Sequence, residues 1–130
     1  MSGAEPVDEV PVHETASGPG RRVWLGVLLA ALVVQLVALY SPRGGGAPPF
    51  PNADKIVHAA IFAVPVLAAL LARLRAALVV GVAAVHAPVS EAVQWAFLPG
   101  RDGDVWDAVA DLTGVLLGWL LARWLVARRW

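Results

Sequence analysis

Four apolar stretches, each approaching 20 residues, set the terms on which this sequence can fold. A helix of that length rises about 30 Å, the hydrocarbon thickness of a bilayer. A soluble chain would have to hide four such runs in one core while covering them with polar residues. Composition does not supply that cover: 15% of the residues are charged and 58% are hydrophobic, where soluble domains carry about 25% charged residues. Inside lipid every backbone N–H and C=O must be satisfied within the segment, so the runs are read as helices. The fold class is therefore all-α, an integral membrane four-helix bundle (polytopic), with helices over about 23–40, 54–72, 76–98 and 105–126.

The segments between them read as connections. Residues 1–20 combine Glu5, Asp8, Glu9 and Glu14 with prolines and few large apolar side chains, the composition of a disordered tail. Residues 41–52 hold three successive glycines and four prolines, and 99–104 form a tight polar loop in which Asp102 and Asp104 are expected to be solvated. The transmembrane domain occupies 21–130. Its basic residues are distributed unevenly: Arg21, Arg22, Arg73, Arg75, Arg123, Arg128 and Arg129 fall on one side, and Arg43, Lys55 and Arg101 on the other. The positive-inside rule then places both termini in the cytoplasm, N-in/C-in. Trp24, Trp124 and Trp130 belong to the inner aromatic belt, and Tyr40, Trp95, Phe97 and Trp106 to the outer one. A formal charge of zero gives no electrostatic case for nucleic acid, and the absence of cysteine excludes disulfides, thiol catalysis and thiolate metal sites.

With that topology the ionisable residues of the spans gather at one end. Asp54, Lys55 and His58 open the second helix, with Asp54 and His58 one turn apart. Glu91 and Gln94 share a face near the end of the third helix, and Arg101 lies in the following loop. Asp107, Asp111, Gly114 and Gly118 recur at steps of four, three and four, a single stripe down the fourth helix. Glycines on such a stripe let a second helix approach closely, and the same stripe would carry both aspartates into the bundle. A carboxylate at membrane depth costs about 2.5–3.5 kcal/mol on insertion scales, so these groups need partners. Lys55, His58 and Arg101 are the expected ones, with Glu91 bridged to Arg101 or Lys55. Arg101 could instead present its guanidinium fork to a carboxylate or phosphate. His86 reads as structural, supporting Ser90 one turn above. His86, Glu91, Asp107 and Asp111 could join His58 on a metal, but no HExxH-type spacing occurs, and no metal or cofactor is assigned.

Taken together, Asp54-Lys55-x-x-His58, Glu91-x-x-Gln94, Pro99-Gly100-Arg101, Asp107 and Gly114-x-x-x-Gly118 resemble, in order and spacing, the VanZ-like family of bacterial membrane proteins. The resemblance covers the second to fourth helices. It implies a bacterial plasma membrane location, a role in the cell envelope, and a link to resistance against teicoplanin-type glycopeptide antibiotics. The chain departs from the family pattern at Asp111, where the resemblance implies asparagine; the departure adds a carboxylate to the site.

The expected function is that of a non-enzymatic membrane protein with an outward-facing polar pocket formed by Asp54, Lys55, His58, Glu91, Gln94, Arg101, Asp107 and Asp111. Its expected partners are the lipid bilayer and an amphiphile, either a lipid-linked precursor or a lipoglycopeptide. Two alternatives differ in class. A membrane hydrolase or transferase would use His58 as base, with Glu91 or Asp107 as acid and Arg101 stabilising charge, although no nucleophile motif such as GxSxG is present. A helper subunit would form a homo- or hetero-oligomer through helix 105–126, using Gly114 and Gly118.

Overall fold

The computed structural model describes residues 19–42, 48–101 and 103–128, and among them are four helices: α1 (Pro19–Tyr40), α2 (Ala53–Leu71), α3 (Ala76–Phe97) and α4 (Val105–Ala127). Each is long and apolar enough to cross a membrane. Many of their large apolar side chains, among them Val33, Leu78, Val82, Leu116 and Leu120, point outward. An exposed apolar surface of this extent on all sides is the surface of a multi-pass membrane protein, for which lipid is the solvent.

Three of the helices begin and end within one residue of the expected bounds. The first starts four residues earlier than 23, at Pro19. Proline suits a first helical position, because the N–H that it lacks would have no intrahelical partner there, and Arg21 and Arg22 continue the helix. Pro19 and Gly20 thus belong to α1, while the rest of the expected disordered tail, residues 1–18, lies outside the described residues. The loop residues 43–47, Asp102 and residues 129–130 also lie outside them.

The α2–α3 connection is the tightest. Arg73 adopts a left-handed conformation (φ 62°), and the N–H groups of Ala72, Arg73 and Leu74 return to carbonyls of the last turn of α2. That satisfies three carbonyls of the helix end and reverses the chain within four residues. α2 lies at the centre of the bundle. It packs most extensively on α4, then on α1, and least on α3, while α1 touches α3 only slightly. The apolar core is small, built from Leu39, Phe62, Val66, Ala87 and Val115. Since lipid gives no hydrophobic drive to pull apolar helices together, the remaining adhesion has to come from close backbone contact and polar groups. Both are concentrated between α2 and α4.

Candidate functional site

Backbone contact between α2 and α4 positions the site. A Cβ on Gly114 would overlap the carbonyl oxygen of Ala59, and one on Gly118 would lie 2.5 Å from that of Ala63. Only glycine permits this approach. One turn towards the N-termini, Asp111 faces His58, and beyond it Asp107 faces Lys55. Positions pair as 55 with 107, 58 with 111, 59 with 114 and 63 with 118, so the two helices run parallel. The stripe seen in the sequence is the α2–α4 seam within one chain.

Lys55 closes the upper layer of the site. Its Nζ donates to Asp104 Oδ2 at 2.9 Å, Asp107 Oδ1 at 3.1 Å and Asp54 Oδ2 at 3.4 Å. Asp104, expected to be solvated, is therefore a partner of Lys55. Its other oxygen accepts the N–H of Trp106 at 2.8 Å, so it also caps the N-terminus of α4. An aspartate directly before an apolar helical run is a recognisable N-cap signal, and that signal was available in the sequence.

His58 occupies the lower layer. Its Nδ1 lies 2.9 Å from Asp111 Oδ1 and 3.9 Å from Glu91 Oε1, and its Nε2 lies 3.7 Å from Asp107 Oδ2. An ionised carboxylate can only accept, so the short contact places the ring proton on Nδ1 when the imidazole is neutral and leaves Nε2 as an acceptor. Glu91 reaches this layer from α3, and its Oε2 accepts the backbone N–H of Asp104 at 3.3 Å. Glu91 is thus bridged to neither Arg101 nor Lys55 by a described contact. His58, Asp107, Asp111 and Glu91 are all buried, and Asp111 is fully inaccessible. Glu91 Oε1 and Asp111 Oδ2 are buried without a hydrogen-bond partner among the described residues.

Two expected members of the pocket turn elsewhere. Gln94 Nε2 donates to Leu39 O at 3.0 Å, and Arg101 Nη2 donates to Ala38 O at 2.7 Å and Ser41 O at 3.0 Å. These are carbonyls at the C-terminal end of α1, groups that the helix itself leaves without donors. Gln94 and Arg101 therefore tie α1 to α3 and its loop. His86 also departs from expectation. Its Nε2 lies 3.1 Å from the Tyr40 hydroxyl, while Ser90 Oγ donates to Ala87 O of its own helix. Tyr40 is consequently a helix-to-helix contact as well as an aromatic near the interface. No local signal links residues 46 positions apart. Trp95, Phe97 and Trp106 are exposed at this end, as an aromatic belt requires.

The assembled site thus holds Asp54, Lys55, His58, Glu91, Asp104, Asp107 and Asp111: five carboxyl groups against one lysine and one histidine. One ligand atom from each of His58, Glu91 and Asp107 can be chosen so that all three lie within 4.8 Å of one another. An open groove of about 370 Å³ runs between α3 and α4 to its edge. Pro88, Ala92, Trp95, Val105 and Ala108 form its apolar walls, and Glu91, Gly103 and Asp104 also line it. Comparison with family models, curated proteins and solved structures found no match to the chain.

Proposed function

We propose that the chain is a VanZ-like protein of the bacterial plasma membrane that binds an amphiphile at the outer end of its bundle. The groove between α3 and α4 carries this reading, because apolar walls with Glu91 and Asp104 among the lining residues suit a chain joined to a polar head. The carboxyl group of Glu91, which lines the groove, selects the head. Groups that donate hydrogen bonds, such as the amines, amides and hydroxyls of a lipid-linked envelope precursor or a lipoglycopeptide, meet acceptors there. A bare phosphate would meet like charge. With Lys55 held by carboxylates and Arg101 donating to α1, the anion-binding role expected of these two cations is the weaker version of the proposal. A part in glycopeptide resistance would follow from capture of the antibiotic or of its lipid-linked target.

Native mass spectrometry of the detergent-extracted protein tests the reading. A lipid-mass adduct is expected on the wild-type chain and absent from Glu91→Ala, which removes a lining carboxyl group, and from Ala108→Trp, which fills the groove. Equal adduct occupancy in all three would sink the proposal.

A second reading, a membrane hydrolase or transferase, draws on the hydrogen bond between His58 and Asp111, which orients the ring as a general base requires. It needs turnover of a lipid-linked substrate that disappears in His58→Ala. A helper-subunit role through the glycine stripe loses its surface, since Gly114 and Gly118 pack on α2. Any oligomer through α4 would use its exposed face around Leu116, Leu117 and Leu120.

A further inference from the structure

We infer that His58, Glu91 and Asp107 form a binding site for a divalent transition-metal cation of the zinc or manganese class. The three side chains come from three different helices, so no local spacing in the sequence announces them. Around a zinc ion with bonds of about 2.0–2.2 Å, tetrahedral ligand atoms stand roughly 3.4 Å apart. The donor atoms here fit within 4.8 Å of one another, so small side-chain rotations bring them to coordinating distance.

Two independent features point to a cation. Glu91 Oε1, on a side chain nine-tenths buried, lacks a hydrogen-bond partner among the described residues and faces His58, and the inaccessible Asp111 Oδ2 is likewise without one. Buried acceptors of this kind are costly unless something positive meets them. The second feature is the arrangement of the imidazole. Asp111 accepts from Nδ1 and leaves Nε2 free to ligate, which is the outer-shell support that metal-bound histidines characteristically have.

The donor set decides the class. One imidazole nitrogen with two carboxylates suits zinc, manganese or ferrous iron, whereas calcium takes six to eight oxygens and magnesium keeps most of its waters. Three protein ligands leave a further coordination position, and Glu91 lines the α3–α4 groove, which supplies an entry path. The site stands on its own geometry whatever occupies that groove.

The test uses untagged protein in detergent, stripped with chelator and titrated calorimetrically with Zn²⁺ or Mn²⁺ alone. One equivalent per chain is expected to bind saturably. Glu91→Gln and Asp107→Asn keep the side-chain shapes while removing ligand charge, and each should weaken binding at least tenfold. Asp111→Asn should weaken it about 10–100-fold through the lost outer-shell carboxylate. His86→Gln alters the other buried-face histidine, which pairs with Tyr40, and should leave affinity unchanged. Should one ligand variant fail to fold in chelator by circular dichroism, the other and the visible spectrum of the Co²⁺-loaded wild type still decide the matter. Absence of saturable binding to the wild type, or undiminished affinity in the folded Glu91→Gln or Asp107→Asn proteins, would overturn the assignment.

Discussion

Gly114→Ala is expected to abolish most of the folded protein recovered in detergent, while Gly81→Ala leaves recovery intact or slightly improved. Both changes add one methyl group to a helix interior, and both improve helix propensity by about 1 kcal/mol. They differ in what the methyl meets. At Gly81 nothing lies within 4 Å, whereas at Gly114 the Ala59 carbonyl oxygen occupies the position, with its carbon at 2.9 Å and Cα at 3.0 Å. Overpacking ordinarily costs about 1–3 kcal/mol, and the upper part of that range applies when the obstructing atoms are backbone. In a bundle whose apolar core is as small as this one, separation of α2 from α4 also moves Asp111 away from His58 and Asp107 away from Lys55. Thermal melting and the monodisperse fraction on gel filtration give the comparison. Equal behaviour of the two variants would mean that the α2–α4 seam is looser than described.

Lys55→Met should destabilise the protein severely, whereas Asp111→Asn should be tolerated to within about 1 kcal/mol. Removal of one partner from a buried ion pair costs roughly 3–5 kcal/mol, because the other charge stays uncompensated. Lys55 is partly exposed, so the lower part of that range applies. Its loss removes the ammonium that Asp54, Asp104 and the nearly inaccessible Asp107 share, and leaves these carboxyl groups beside one another. Asparagine at 111 keeps a carbonyl oxygen to accept from His58 and removes one surplus negative charge. Melting temperatures in chelator separate the two variants. If Asp111→Asn proved as damaging as Lys55→Met, the cluster would not carry excess negative charge in the folded protein.

The spans could be read from the sequence because length and apolarity act locally: α2, α3 and α4 fall where the runs of apolar residues place them. The seam was legible for a related reason. Asp107, Asp111, Gly114 and Gly118 share one helical face by periodicity alone, and glycine on that face requires a close neighbour. Periodicity does not name the neighbour, so the stripe was compatible with a helix of the same bundle or of another subunit, and α2 is the helix packed against it. Arg101 shows the corresponding limit for charge. From its loop it could reach an acid or an anion, but the C-terminal carbonyls of α1 also need donors, and the contacts with Ala38 and Ser41 use it there. Gln94 follows the same logic at Leu39. Asp104 was missed because two roles converge on it, one as a local cap and one in long-range pairing with Lys55.

Seven charged or ionisable side chains at one end of a membrane bundle bind an external amphiphile only if that end faces outward. The chain contains no cysteine, so single cysteines report without background. A membrane-impermeant maleimide applied to intact cells should label Pro99→Cys, beside the cluster, and should reach Leu74→Cys, in the opposite turn, only after permeabilisation. Labelling of Leu74→Cys in intact cells, with Pro99→Cys protected, would put the charged site in the cytoplasm and contradict the account.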